Sequence, residues 1–139
     1  MKSRKTILFD EDESTLFDFV LIGISCHLKD YRLAWGLNTV LDIRLEKNET
    51  SIELKDGQHL SKHTVFSCSD EFGTEVSLIK NRSSIYLAKE LSHADYFLKI
   101  EGEIESEELL ITKLKEAKGV LAVFQLNVEE LKSKENFIF

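Results

Sequence analysis

FDFVLIGISCHLKDYRLAWGLNTVL, residues 17–41, is the stretch on which the fold turns. Its first part, Phe17-Asp18-Phe19-Val20-Leu21-Ile22-Gly23-Ile24, is β-branched and aromatic. It has the length of a strand buried on both faces, although periodicity alone does not separate such a run from a buried helix. We read it as a strand. Asp30 then stands as an N-cap for a helix from Tyr31 to Leu41. Beyond the helix, Ile43 and Leu45 alternate with Asp42, Arg44 and Glu46 as in a half-exposed strand. The resulting order is β-α-β.

The same order returns near the C-terminus. Tyr96-Phe97-Leu98-Lys99-Ile100 reads as a strand, Ser106 caps a helix through Ala117, Gly119 closes it, and Val120 to Leu126 reads as another strand. Between the two units lie short strand-like pieces at Ser51 to Leu54, Thr64 to Ser67 and Thr74 to Lys80. The last two are joined by Asp70-Glu71-Phe72-Gly73 in a hairpin. These signals predict an α+β fold of two β-α-β units with an inserted β-hairpin, a ferredoxin-like or ACT-like sheet with helices on one face. The residue-level likeness of the two units is weak, so nothing here argues for duplication.

At the termini, Thr6 to Asp10 reads as a first short strand and the acids Asp10-Glu11-Asp12-Glu13 as a solvated loop. Asn127 caps a final short helix, with Glu130 placed as in a capping box. Phe137-Ile138-Phe139 would fray if uncovered, so they are expected to dock on the core or on a partner.

The chain has no Pro and only six Gly, which leaves no linker at which to divide it, and 139 residues suit a single α+β domain over 1–139. With 42% apolar residues and nine Phe it is globular rather than disordered, and no apolar run approaches the length of a spanning helix. The basic start, Met1 to Lys5, leads into an apolar patch too short for a secretion signal, so a cytoplasmic protein with no membrane association is expected. A net charge of -7, from 25 acids against 18 bases, disfavours nucleic acid as a partner. Cys26 and Cys68 are read as reduced, buried thiols.

On the helix, Leu33, Leu37, Val40 and Leu41 form one stripe that docks on the sheet. Tyr31, Trp35 and Asn38 cluster about 120° from its centre. A one-sided surface helix would carry charge there. Either the insert or the tail packs over Trp35, or the stripe is a binding hot spot, for which Trp, Tyr and the neighbouring Arg32 are enriched types. Tyr31, Arg32, Trp35 and Asn38 are therefore the candidate partner-binding residues.

Catalytic and metal signatures are weak. His59 and His63 have HxxxH spacing and Cys68 follows, but Gly57 and the strand after them argue for a solvated loop, and no Glu follows His59. Cys26 and His27 are adjacent, so on a strand they point to opposite faces and cannot pair. Residues 23–27 lack the closing Gly of a GxSxG elbow, and no phosphate-binding glycine loop is present. The acids at 10–13 lack the turn Gly and closing Glu of a calcium loop. Glu101, Glu103, Glu105, Glu107 and Glu108 surround the start of the second helix, where some complement its dipole.

The segments Phe17 to Trp35, Ala94 to Leu98 and Leu131 to Phe139 together resemble the uncharacterised bacterial family called IPExxxVDY. The likeness runs in order along nearly the whole chain. His27-Leu28-Lys29-Asp30-Tyr31-Arg32-Leu33-Ala34-Trp35 and Leu131-Lys132-Ser133-Lys134-Glu135-Asn136 are its most specific parts, while Ala117 to Gln125 match the naming motif only at Val123. The resemblance implies a small cytoplasmic protein, and the family, having no assigned activity, supplies no catalytic residues to carry over. The expected function is a non-catalytic binding or regulatory domain that associates with a protein partner or with itself, without a cofactor. The alternatives are a metal protein or enzyme using His59, His63 and Cys68, and an ACT-like small-molecule sensor.

Overall fold

The computed structural model describes residues 16–139; the expected strand at 6–10 and acidic loop at 10–13 lie outside the described residues. The elements are β1 (Val20–Cys26), α1 (Asp30–Leu41), β2 (Glu46–Lys47), β3 (Ile52–Asp56), β4 (His59–His63) and β5 (Val65–Ser69). They continue with β6 (Glu75–Lys80), β7 (Tyr96–Glu101), α2 (Glu107–Glu116) and β8 (Val120–Leu126). Short 3-10 turns occupy Lys89–Leu91, Val128–Glu130 and Lys134–Phe137. No helix among the described residues is long and apolar enough to cross a membrane.

Among the described residues six strands form one sheet in the order β2-β5-β6-β7-β1-β8, and β3 pairs with β4 in a separate two-stranded sheet. Every neighbouring pair is antiparallel. Through the insert, α1 therefore links β1 to a parallel β6 on the far side of β7, and α2 links β7 to a parallel β8 on the far side of β1. The result is a mixed α+β fold.

Side chains alternate across a strand, so a sheet covered on both sides has two cores. On one face Ile22, Ile24, Leu78, Leu98 and Ile100 pack against Leu33 and Leu37 of α1 and Leu114 of α2. On the other, Leu21, Ile79 and Phe97 meet Leu87, Val128 and Phe137, with Ile52 and Leu54 of the small sheet packed beside them. The second unit follows its sequence signals closely. Ser106 Oγ accepts from Leu109 N at 3.2 Å at the start of α2. Gly119, at φ 88°, turns the chain into β8 where a side chain would collide with Leu28.

The tail docks through one ring. Phe137 is fully buried, edge-on to Phe97 with centroids 5.0 Å apart, whereas Phe139 stays 56% exposed. Between them lies Lys99, only 3% exposed at the centre of the sheet. Its ammonium donates to Phe137 O at 2.7 Å, pairs with Glu101 at 2.9 Å and sits over the Phe19 and Phe139 rings. Alternation along β7 puts Lys99 on the same face as Phe97, and the docked tail makes that face an interior.

Four local readings are corrected. The first strand begins at Val20, because Phe17 and Phe19 turn to pack on the tail-side core. The helix takes its N-cap from the Lys29 backbone, while Asp30 is its first residue and accepts from Tyr31 N at 2.7 Å. Asp42, at φ 55°, ends the helix, and the expected strand at Ile43 and Leu45 shrinks to Glu46–Lys47. His59 to His63 form β4 rather than a loop. Gly57, at φ 65°, is the first central residue of the two-residue turn that pairs Asp56 with His59. The hairpin at 70–73 is as read: Asp70 Oδ1 accepts from Phe72 N and Thr74 N, both at 2.9 Å, and Ser69 pairs with Glu75.

Candidate functional site

The α1 helix presents Leu33, Ala34 and Leu37 to the core and leaves its other side open. Tyr31 and Arg32 are exposed, and Trp35 is 73% exposed. Neither the insert nor the tail covers Trp35, because β3, β4 and Phe137 pack on the opposite face of the sheet. Of the two alternatives the sequence left open, covering by either segment is not what the described residues adopt.

Asn38 differs from the other three. Its Oδ1 accepts from Leu45 N at 2.7 Å and its Nδ2 donates to Leu45 O at 3.3 Å, so it secures the chain after the helix. The polar stripe thus divides into a structural residue and an open aromatic pair.

Trp35 borders a groove of about 410 Å³ whose walls include Leu28, Arg32, Val40, Glu116 and Lys118. Gly36 forms part of its floor, and the C-terminal end of α2 comes close enough that an alanine side chain there would touch the Lys118 backbone. Arg32 and Lys118 bring positive charge and Glu116 a negative one to walls that Leu28, Trp35 and Val40 make apolar elsewhere. The groove was not legible in sequence, since it depends on the approach of two helices about 80 positions apart.

The three residues of the metal alternative are not brought together. His63 is fully buried on β4, with Nδ1 3.0 Å from Lys80 O and Nε2 2.9 Å from Ser61 Oγ. A carbonyl only accepts, so Nδ1 carries the proton and Nε2 takes the Ser61 hydroxyl hydrogen. Burial lowers the His63 pKa, which favours this neutral form. His59 lies at the exposed start of β4, and Cys68 packs on the helix-side core. Among the described residues no three or more His, Cys, Asp or Glu stand together as a metal site needs.

The Ser61–His63 pair has the chemistry of a nucleophile and its base, but its setting is that of a latch. Both residues are fully buried, and Ser61 Oγ also accepts from Ile85 N at 3.2 Å. The pair ties the small sheet to the loop after β6. Cys26 and Cys68 are free thiols whose pKa values burial pushes up, which disfavours the reactive thiolate. His27 is exposed.

In comparisons with known proteins the chain matches no family model, and no curated protein matches it.

Proposed function

We propose that this chain is a non-catalytic, cytoplasmic binding or regulatory domain that docks a protein partner on the open face of α1. The observation that carries this reading is Trp35, held 73% exposed on α1 beside a groove of mixed apolar and charged lining. Large exposed aromatics flanked by Arg are the residue types that dominate interface energies. Tyr31 and Arg32 extend the surface, and Asn38 supports it from below. The scaffold belongs to the same proposal. Its β8-β1-β7-β6 order with both helices on one face supports a ferredoxin-like core carrying an insert. Kinship with the IPExxxVDY family rests on the residues 27–35 and 131–136.

The test is capture from cells with wild-type protein and Trp35→Ala, with sedimentation of both to register self-association. The variant should keep the wild-type melting temperature and lose the captured protein or the dimer. Equal capture by both proteins would refute a role for this face.

A further inference from the structure

A second cleft, of about 550 Å³, opens where β1 and β6 end and β7 begins. His27 and Lys29 line it from the segment after β1, and Lys80 and Arg82 from the end of β6. In a chain of net charge -7, three permanent cations and an imidazole share one small space. The lining includes one carboxylate, Asp95, and its Oδ2 already accepts from Cys26 N at 2.8 Å. Among the described residues the ion pairs are Lys99–Glu101 and Lys134–Glu129, so Lys29, Lys80 and Arg82 have no carboxylate partner there.

The backbone beneath these cations is pinned at several points. Tyr96 Oη donates to Leu28 O at 2.6 Å, between His27 and Lys29. Burial, with Asp30, Cys26 and Asp95 nearby, raises the Tyr96 pKa and keeps that donor protonated. On the other wall, His63 bonds Lys80 O. Asn81 is fully buried, donates to Leu91 O and Ala94 O and accepts from Ala88 N. Assembling like charges on a rigid frame is unfavourable until an anion enters, and a preorganised frame lowers the cost of binding it.

We propose that this cleft binds a small molecule bearing phosphate groups. Arg82 supplies a planar fork for phosphate oxygens and Lys29 and Lys80 supply point charges. The volume suits a nucleotide-sized ligand. The acidity of the rest of the surface disfavours an extended polyanion such as RNA.

Calorimetric titration tests this with inorganic phosphate, pyrophosphate and ADP as probes, alongside a single-stranded RNA. Pyrophosphate or ADP should bind in the micromolar to millimolar range, more weakly as salt rises. Arg82→Ala should weaken binding about tenfold and Lys29→Ala about three- to tenfold, each with an unchanged melting temperature because both side chains are exposed. Lys132→Ala and Trp35→Ala should leave the affinity unchanged. Phosphate and pyrophosphate binding without a gain for ADP would identify the free ion as ligand. No heat with any phosphate probe at 5 mM, equal binding by Arg82→Glu, or RNA binding tighter than pyrophosphate would overturn the proposal.

Discussion

Truncating Phe137 to Ala isolates what the tail contributes. The ring is fully buried, meets Phe97 edge-on at 5.0 Å and closes the core opposite the helices. An aromatic side chain removes about 150–250 Å² from water. At about 25 cal/mol per Å² that is about 4–6 kcal/mol, an upper figure because the unfolded chain already hides some of this area. Phe→Ala changes in cores cost about 3–5 kcal/mol, and the site at a chain end can relax, so the lower part of that range is expected. With a urea slope of about 2 kcal/mol/M, the midpoint should fall by about 1.5–2 M in far-UV circular dichroism. Trypsin should also cut faster at Lys132 and Lys134, which the docked tail holds in place. Phe72→Ala is the control. That ring is 85% exposed at the hairpin tip, and its loss should change stability by less than about 0.5 kcal/mol. A loss below about 1 kcal/mol for Phe137→Ala, with unchanged proteolysis, would show that the tail does not close this core.

Asn38→Ala should cost about 1–3 kcal/mol in urea unfolding, since it strips both partners from the backbone of the buried Leu45. An effect as small as that expected of Trp35→Ala would mean that Asn38 belongs to the open face after all. His63 sets a pH dependence. Its pKa is lowered in the fold from an ordinary value of 6.5, so below that pH the unfolded chain takes up a proton that the buried ring refuses. Its contribution is complete above about pH 6.5 and falls, by at most about 1.4 kcal/mol per pH unit, until the folded pKa is passed. Urea titrations at pH 7.5 and 5.0 should show this loss in wild type and a smaller one in His63→Gln; equal losses would remove His63 as the cause.

The strand-helix-strand order of the second unit, the Ser106 cap, the Gly119 turn, the Asp70–Thr74 hairpin and the two-sided character of α1 were legible in sequence. Each depends on backbone geometry over a few consecutive residues. Two segments differ from their local pattern. Ile43 and Leu45 alternate like a strand, but Asn38 holds Leu45 and Asp42 turns left-handed, so alternation served a loop. Gly57 is as compatible with a loop as with a tight turn, and pairing of Asp56 with His59 makes it the turn of a hairpin, so His59 to His63 form a strand.

What the sequence determined by itself is both helices, most of the long strands and their apolar stripes. What the tertiary structure decided is which stripe is covered, and by what. Lys99 became interior because Phe137, 38 residues away, gives it a carbonyl. Trp35 stayed exposed because insert and tail both chose the other face of the sheet. The cations of the second cleft met because Asp95 and Tyr96 reach back to Cys26 and Leu28 across 69 and 68 positions. Periodicity is a property of neighbouring residues, whereas burial and charge clustering depend on which distant strands pair, and local pattern carries no record of that choice.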